Sequence, residues 1–559
     1  MRAPPLPVHG RSRPCHPGQK ASFPGWSCRV GLTPPARPEA PPMQQSFHRN
    51  YLVRAIVAGT AGSAIEFYDF VLSANAAILI FPRVFFPHSD PLAGTLISFS
   101  TYSAGFISRP IGAAFFGHFG DRLGRKSTLV ATLLLMGAVS VGVGLLPGYA
   151  QIGIWGGILL TGLRLLQGFA IGGEWGGTIL LPIEWGPPNR RGFIGAWPHL
   201  GFPSGLLTSN AALIITSAVV GPVAFADWGW RIPFLLGGVL ILFGFYVRLG
   251  VLETPPFTVM LEERRIVPRP VVEVFRRNWR EVVLGALALQ PVLVCFYLWA
   301  TFALSYGTRT LKLDQTFMLT TTLSAAAVAL VGVITFGALS DRVGYRRTYM
   351  TGLVVYALIA FPYYWLFDSR QPVLVVFASV AALVTFALLY GPLAAFVSSL
   401  YSGQVRYTGV SLSYHLAAAL GGGAAPVVAG ALLAATKSTA AIAGYVVLSA
   451  IVALVATRLL RDRSGLDHRV DYDVQLRSTP DLAPAPARPP YRNGTAPAPV
   501  PSAPPTLPLA LPPAELPPAE LPAPLPPAER RTLRRGTPRP PVEEPTRQLP
   551  ANLRRGRRP

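Results

Sequence analysis

The sequence is poor in charged residues and in cysteine. Only 13% of its 559 residues are Asp, Glu, Lys or Arg, whereas 51% are hydrophobic, and a soluble domain usually carries about 25% charged residues. This shortage argues against a soluble domain and predicts a membrane protein. Three cysteines, Cys15, Cys28 and Cys295, are too few for a disulfide framework, and we expect no metal site. The sequence also lacks a Walker-type phosphate loop, which argues against direct ATP coupling, and we expect no cofactor.

Positive charge is plentiful, but it does not form a nucleic-acid-binding patch. The formal net charge is +23, of which residues 1–50 and residues 461–559 each carry +6, leaving +11 for residues 51–460. Most of that remainder lies in a few short loops. Lys and Arg in short loops are retained on the cytoplasmic side of a membrane, so this charge is an orientation signal. We therefore expect no nucleic-acid partner.

Long apolar runs dominate the middle of the chain. A helix needs about 20 apolar residues to span the hydrocarbon core. The sequence contains twelve such runs, near residues 53–80, 92–119, 127–147, 152–184, 194–220, 231–250, 282–306, 316–339, 348–367, 372–400, 408–434 and 438–459. The even-numbered loops between them and both ends of the chain are basic, whereas the opposite loops are nearly bare of charge. This pattern predicts an all-α, multi-pass membrane protein with both termini in the cytoplasm.

The remaining segments divide the chain into domains. The longest internal break, residues 251–281, separates an N-terminal six-helix bundle, 51–250, from a C-terminal one, 282–460. We expect the N-terminal extension, residues 1–50, to be disordered or to result from an over-extended reading frame with Met43 as the alternative start. Residues 461–559 are rich in Pro, Ala and Arg, which predicts a disordered cytoplasmic tail.

A ten-residue pattern occurs twice, each time between two apolar runs. It reads GHFGDRLGRK from Gly117 to Lys126 and GALSDRVGYR from Gly337 to Arg346, an offset of 220 residues. A repeat this long indicates two membrane halves of similar design. The glycines allow close helix approach, and the Asp-Arg pairs place charges at the membrane surface where helices end. The pattern therefore favours a hinge or latch over a substrate site.

Several further motifs resemble one family. They are GSAIEFYDF (62–70), SRPIGAAFFGHFGDRLGRK (108–126), RLLQGFAIGGEWGG (164–177), RRGFIGAWPHLGFPSG (190–205), DWGWRIPFLLG (227–237), ETPPF (253–257) and VRYTGVSLSYHLAAALGGGAAP (405–426). This set resembles the metabolite:proton symporters of the major facilitator superfamily over roughly residues 50–460. The resemblance implies two six-helix bundles around a central site, alternating access by rocking, and uptake of a small organic acid or zwitterion together with protons.

The resemblance also implies a role for the repeated motif. In such proteins the loop motif helps to hold the outward-facing state. It therefore assigns gating roles to Gly117, Asp121, Arg122, Gly124 and Arg125 and, in the second copy, to Asp341, Arg342, Gly344 and Arg346.

Charged residues inside apolar runs are costly and usually functional. Glu66 and Asp69 lie in the first run on neighbouring faces, with Glu66 roughly 20 Å from the inner end of its helix. A desolvated carboxylate can load and release a proton as a cavity opens to either side, so we predict proton coupling at both residues. The alternative is a permanent structural ion pair with a neighbouring helix.

Two arginines inside the apolar runs are suited to pair with these carboxylates. Arg164 lies about 15 Å from the outer end of the fourth run, and Arg109 about 18 Å from the inner loop. The planar guanidinium donates two parallel hydrogen bonds to a carboxylate. We prefer Arg164 as a substrate-binding or coupling residue, and Arg109 is either a substrate ligand or a structural partner. Glu174 is either a second proton-coupling residue or a helix-to-helix contact.

His199 and His415 occupy matching places, each nine residues after an arginine of the basic loops. They are candidates for a symmetric pair of substrate-binding residues, with ordinary cavity-lining polar residues as the alternative. Family members more often have an amide at these positions. Gln167, Tyr68 and Tyr297 complete the predicted substrate-binding set.

Together these features predict a secondary active transporter in the cell inner membrane, not an enzyme, and a monomer embedded in the lipid bilayer. Its expected partners are a small organic acid or zwitterion and protons. The alternatives are an exporter or uniporter of the same fold, or a metabolite receptor that does not transport.

Overall fold

The structure is a computed structural model that describes residues 42–88, 91–263 and 266–461. The predicted tail and most of the N-terminal extension, residues 462–559 and 1–41, lie outside the described residues, as do Cys15 and Cys28. Cys295 is a free, buried thiol, so it forms no disulfide. Within the described residues the secondary structure is helical and contains no β-strand.

Twelve helical segments follow the predicted apolar runs. They are α1 (Pro42–Leu79), α2 (Pro91–Leu123), α3 (Arg125–Leu145), α4 (Trp155–Trp185), α5 (Pro188–Val220), α6 (Arg231–Leu249), α7 (Trp279–Thr308), α8 (Gln315–Val343), α9 (Tyr345–Asp368), α10 (Pro372–Ser398), α11 (Arg406–Thr436) and α12 (Thr439–Leu459). In the described part of the chain, ten helices are long and apolar enough to cross a membrane. The other two, α2 and α4, have 33 and 31 residues and carry the buried charges Arg109, Arg164 and Glu174.

The outer surface of the helices is apolar. Ile107, Val219, Leu358 and Val427 are each more than two-thirds exposed. In water such a surface would be an interaction site or an aggregation liability. In a bilayer it is covered by acyl chains, as expected for a membrane protein.

The helices form two halves that pack most closely at one end. Within the first half α2 packs on α4 and α1 on α5, and within the second α8 packs on α10 and α9 on α12. The halves meet where α2 packs against α11 and where α8 packs against the start of α5. These contacts involve the ends of α2 and α8 that carry the repeated motif, which loop charge assigns to the cytoplasmic side.

Several helices are interrupted near the middle of the bundle. α5 contains a 3₁₀ turn at Pro198–Leu200, and α10 breaks between Tyr390 and Leu393. α7 and α11 contain π-helical turns at Tyr297–Phe302 and Ala418–Gly423. Broken helices are tolerated at membrane depth where neighbouring helices or a cavity satisfy the backbone. The breaks therefore surround the centre of the molecule, where the candidate site lies.

Candidate functional site

The first copy of the repeated motif joins the two halves through Asp121. This buried carboxylate, at the end of α2, accepts hydrogen bonds from the backbone N–H groups of Tyr407 and Thr408 at 3.1 and 3.0 Å and from the Thr408 hydroxyl at 2.8 Å. The backbone donors belong to the first turn of α11. Asp121 thus caps the N-terminus of a helix from the opposite half, where unpaired N–H groups and the helix dipole favour a negative charge.

The second copy makes the reciprocal contact. Asp341, at the end of α8, accepts hydrogen bonds from the backbone N–H groups of Gly192 and Phe193 at 2.7 and 2.9 Å. These donors belong to the first turn of the helix Arg191–Ala196 at the start of α5. Each half therefore caps a helix of the other half, which closes the cytoplasmic side twice.

The motif glycines have separate structural tasks. Gly117 approaches α11 so closely that a Cβ there would lie 2.7 Å from the Thr408 Cα. Gly124 and Gly344 have φ angles of 105° and 102° in the turns that end α2 and α8. Side chains rarely adopt such backbone angles, so glycine is required at both turns.

A buried charge cluster strengthens the first contact. Arg125 lies 3.6 Å from Asp121 and 3.3 Å from Glu184 at the inner end of α4. Arg406 of the opposite half lies 3.2 Å from the same Glu184, and Arg125 also donates to the backbone oxygen of Gly403 at 3.0 Å. Because all these charges are buried, removing one would leave its partners uncompensated in a low-dielectric interior.

The other predicted gating residues lie outside these contacts. Arg122 and Arg342 are exposed. Arg346 donates to the backbone oxygen of Arg458 in its own half at 3.0 Å. The position that corresponds to Arg125 in the second copy is Tyr345, whose hydroxyl reaches the backbone oxygen of Pro188 at 3.5 Å. The two copies thus share the aspartate cap but differ in the residue that supports it.

A central cavity lies between the halves, outward of the two aspartate caps. Its lining includes Glu66, Arg109 and Tyr297 together with aromatic rings from both halves. Glu66 and Arg109 are the charged residues among the described residues that line it. Both are buried, at 5% and 8% exposure. The predicted residues Glu66, Arg109 and Tyr297 are therefore brought together at one cavity.

Arg109 is held by aromatic rings. Its guanidinium carbon lies 4.7 Å from the centroid of Phe70 and 4.3 Å from that of Phe106. In the described part of the chain its Nε atom, like Oε2 of Glu66, has no hydrogen-bond partner. Cation–π contact stabilises the guanidinium in a dry site and leaves N–H donors for another ligand.

A second buried cluster lies in the first half, apart from the cavity lining. Arg164 donates to the Ser73 hydroxyl and the Gln167 side-chain oxygen, and the Gln167 amide donates to Asp69. Arg164 also faces the ring of Phe81 at 5.7 Å. Asp69 and Arg164 are thus joined through Gln167, whereas Glu66, one turn away, faces the cavity.

The remaining carboxylate of α4 forms an ion pair inside the first half. Glu174 binds Arg248 of α6 and accepts a hydrogen bond from the Thr132 hydroxyl at 2.6 Å. Gly62 packs directly against this ion pair. Such a geometry corresponds to the helix-to-helix alternative, and proton coupling at Glu174 stays a prediction.

Four aromatic rings stack in pairs at the inner end of the cavity, whose lining includes two of them, Tyr390 and Tyr414. Trp175 stacks on Tyr414 with centroids 3.6 Å apart, His199 stacks on Tyr390 at 3.8 Å, and Trp175 and His199 lie parallel at 6.1 Å. We call Tyr414, Trp175, His199 and Tyr390 the ring column. Tyr414 and Tyr390 come from the second half and Trp175 and His199 from the first, so each of the two closely stacked pairs joins one half to the other.

The predicted histidine pair is not symmetric in its contacts. His199 belongs to the ring column, whereas His415 meets Tyr414 edge-on at 5.3 Å. Tyr68, a predicted substrate-binding residue, is 1% exposed, and its hydroxyl donates to the backbone oxygen of Pro233 at 2.7 Å. Their substrate-binding roles stay predictions.

Sequence reasoning missed Arg248, Glu184, Trp175, Tyr390 and Tyr414. Arg248 and Glu184 lie near helix ends, where a charge also fits an anchor at the membrane surface. The charge of Glu184 within IEWGPPNRR, six residues before the first of two arginines, was the available signal. Among the described residues, no group of three or more His, Cys, Asp or Glu is placed to hold a metal ion.

Comparisons with known proteins agree with this architecture. The Major Facilitator Superfamily sequence profile matches residues 40–414 and 315–473. The chain is 38% identical over 416 residues to the inner membrane metabolite transport protein YhjE of Escherichia coli (strain K12), covering 73% of the chain and 94% of that protein. It is 34% identical to the shikimate transporter of the same organism, with coverages of 73% and 94%.

Two further matches concern symporters. The chain is 33% identical to the citrate-proton symporter of Klebsiella pneumoniae, over 74% of the chain and 93% of that protein. Among solved structures, the proton:xylose symporter XylE bound to 6-bromo-6-deoxy-D-glucose aligns with a TM-score of 0.61 at 14% identity, over 76% of the chain and 98% of that structure. The structural likeness confirms the fold, and the sequence matches confirm the family. The chain therefore belongs to the Major Facilitator Superfamily, within its metabolite:proton symporter group, and is a multi-pass membrane transporter of metabolites and not an enzyme.

Proposed function

We propose that the protein imports a small organic acid or zwitterionic metabolite together with protons, by alternating access. The observation that carries this proposal is that Glu66 and Arg109 line the same, otherwise aromatic and apolar cavity. The guanidinium supplies a carboxylate-binding group, and the carboxylate supplies a proton-binding group. Both lie between the two halves, where a rocking motion changes the side from which they are reached.

Charge balance in the cavity provides the coupling. Arg109, Arg248 and Glu174 are the charged groups that act on Glu66, and Glu174 is paired with Arg248. An empty cavity with Glu66 ionised is therefore close to neutral. A substrate carboxylate on Arg109 adds a negative charge, and protonation of Glu66 removes one, so proton and substrate bind cooperatively.

The size of this coupling follows from the electrostatics of a partly buried site. Two unit charges about 6 Å apart interact by roughly 3 kcal/mol at an effective dielectric constant of about 20. Removing that repulsion raises the substrate affinity by about 100-fold, since 1.4 kcal/mol corresponds to a factor of ten. A coupling of this size is sufficient to make transport depend on protons.

The cluster of Asp69, Gln167 and Arg164 is the second proton-coupling element of the proposal. Gln167 relays the contact between the two charges. Protonation of Asp69 would weaken its hold on Gln167 and release Arg164, which changes how α1 and α4 pack. Since Glu66 lies on the same helix as Asp69, such a change reaches the cavity through a shared rigid element.

The closed cytoplasmic side supports loading from the outside. The two aspartate caps and the ring column lie between the cavity and the cytoplasm. For inward release the halves must separate there, which breaks both caps and unstacks Trp175 from Tyr414.

Proteoliposomes with an imposed pH gradient test the proposal. A panel of labelled organic acids and zwitterions is offered, and both tracer uptake and internal pH are followed. Symport concentrates a substrate and acidifies the lumen in proportion to uptake, and it stops when a protonophore collapses the gradient. Uptake that only equilibrates indicates a uniporter, and binding without flux indicates a receptor; either result overturns the proposal.

Arg109→Lys and Arg109→Gln provide the matched controls. Lysine keeps the charge but loses the planar fork, so substrate affinity falls while some proton-driven uptake remains. Glutamine removes the charge, so both the substrate affinity and the proton-driven uptake are lost. Equal behaviour of Arg109→Gln and the unaltered protein would exclude Arg109 as the substrate ligand.

A further inference from the structure

The central loop contains a short helix, Pro270–Arg277, directly before α7. We call it the surface helix. One of its sides packs on the protein, with Pro270 and Val274 buried. The opposite side is apolar but exposed: Val272 is 56% exposed and Phe275 52%.

The exposed apolar side continues into the membrane. Trp279, the first residue of α7, is 53% exposed, and Val283, one turn later, is 46% exposed. Val272 and Phe275 lie three residues apart on the surface helix, and Trp279 and Val283 lie four residues apart on α7, so each pair shares one face of its own helix. α7 is long and apolar enough to cross a membrane, so Trp279 and Val283 are exposed apolar residues at the start of a membrane-spanning helix, and the surface helix directly precedes them. Tryptophan is enriched at this boundary.

Positive charge flanks the same stripe. Arg269, Arg276, Arg277 and Arg280 are exposed. Arg277 pairs with Glu273 on the same helix, and Glu281 is the other nearby acid. Arg276 lies in the last turn of the surface helix and Arg280 in the first turn of α7. Arginine donates paired hydrogen bonds to phosphate oxygens.

The buried side of the surface helix touches the cytoplasmic gate. It packs against α2 and α11 as well as α7. These are the two helices that Asp121 joins. A force that holds the surface helix in place therefore also favours the arrangement in which α2 and α11 stay together.

We propose that the surface helix is a binding site for anionic phospholipid of the cytoplasmic leaflet, and that this lipid contact stabilises the closed cytoplasmic gate. Phe275 and Trp279 lie at the acyl boundary, and Arg276 and Arg280 bind headgroup phosphate. Amphipathic helices with arginines on their polar flank lie in the bilayer interface in this way. Each arginine near an anionic surface contributes about a fivefold gain in binding.

The test uses the full chain, with its native cysteines replaced, in bilayers of phosphatidylcholine with or without phosphatidylglycerol. A nitroxide at Val272→Cys reports depth through its relative exposure to oxygen and to a water-soluble nickel complex. A nitroxide at Glu262→Cys, exposed on the neighbouring helix Pro255–Glu262, is the aqueous control. We expect the Val272 label to become oxygen-exposed as phosphatidylglycerol is added, while the control stays nickel-exposed.

The arginine variants separate lipid charge from simple hydrophobic contact. Arg276→Gln with Arg280→Gln should lower the affinity of the surface helix for phosphatidylglycerol by roughly 25-fold, which is about fivefold for each arginine. The oxygen exposure of the label should then depend less on phosphatidylglycerol. Arg347→Gln with Arg458→Gln removes the same charge from exposed sites elsewhere on the cytoplasmic side and should leave the dependence unchanged.

Three outcomes overturn the proposal. A Val272 label that is nickel-exposed in both bilayers shows that the helix faces water. Equal oxygen exposure with and without phosphatidylglycerol shows that no anionic lipid is recognised. Spin–spin broadening that rises with protein density shows that a second copy of the chain covers the face. None of these measurements depends on transport, so they stand apart from the proposed function.

Discussion

Asp121→Ala should open the cytoplasmic side of the protein. The carboxylate accepts three hydrogen bonds from Tyr407 and Thr408 and is buried. Loss of an N-cap costs about 0.5–2 kcal/mol, and hydrogen bonds to a charged group contribute about 1.5–3 kcal/mol. Because these contributions are not additive, we take about 3 kcal/mol for the whole contact. That shifts the closed-to-open ratio by roughly 150-fold.

Asp341→Ala should also shift the closed-to-open ratio towards the open state, but by less than Asp121→Ala does. Asp341 accepts two hydrogen bonds and is only half-buried. Water replaces its donors more readily, so we expect about 1.4 kcal/mol, or a tenfold shift. The order of the two effects follows directly from the two environments.

Cysteine accessibility measures both shifts. Ser411 of α11 is fully buried next to Gly176, so Ser411→Cys in a background without native cysteines reports opening of this interface. A membrane-impermeant maleimide is applied to the cytoplasmic face of inside-out vesicles. The labelling rate should rise strongly with Asp121→Ala, moderately with Asp341→Ala, and not at all with the exposed control Arg347→Ala. Equal rates in all four proteins, or a larger effect of Asp341→Ala, would refute the capping mechanism.

Three further predictions concern the interior. Glu66→Gln should abolish proton-driven accumulation yet preserve substrate counterflow, because Gln keeps the shape of the side chain and cannot exchange a proton; pH-driven uptake at the normal level would contradict this. Arg248→Met should lower the stability by about 3–5 kcal/mol, since it leaves Glu174 buried and unpaired. Thermal unfolding should show recovery when Glu174→Met is added, and an unrelieved loss would mean that packing alone is responsible. Trp175→Ala should remove the stacking partner of Tyr414 and increase maleimide labelling at Ser411→Cys, with Trp197→Ala as the matched tryptophan control.

The sequence predicted the twelve helices and the two halves because these features have local signatures, and the gating role of the repeated motif stays a prediction. The length of an apolar run predicts a membrane span. A charged motif that occurs twice can be recognised directly in the sequence. The cap partners of Asp121 and Asp341 had no such signature, since they are backbone N–H groups. Only the close approach of α2 to α11 and of α8 to α5 reveals them.

The depth of a residue in the membrane could be predicted better than the side of the helix on which the residue lies. Helical rise gives Arg109 and Arg164 similar depths, yet Arg109 lines the cavity and Arg164 binds inside the first half. Glu66 and Asp69 are three residues apart and so about 60° apart around α1. That angle is enough to place one in the cavity and the other in a separate cluster. Helix rotation depends on packing against partners that are distant in sequence.

The histidine pair shows how symmetry in sequence can fail in structure. His199 and His415 follow corresponding arginines at equal spacing. In α5 the 3₁₀ turn Pro198–Leu200 includes His199 itself, whereas in α11 the π-helical turn Ala418–Gly423 begins after His415. The two imidazoles therefore leave their helices in different directions, and only His199 stacks in the ring column.

The reciprocal caps determine the electrostatics of the state that releases the substrate. When the cytoplasmic side opens, α5 and α11 lose their aspartates, and each helix N-terminus exposes a partial charge of about +0.5 to the inner vestibule. An anionic substrate leaving the cavity must pass these two positive ends. Intracellular salt, by screening them, should shorten its stay. The helix ends that hold the cytoplasmic side closed thus become, once uncapped, the last weak anion-binding site on the exit path.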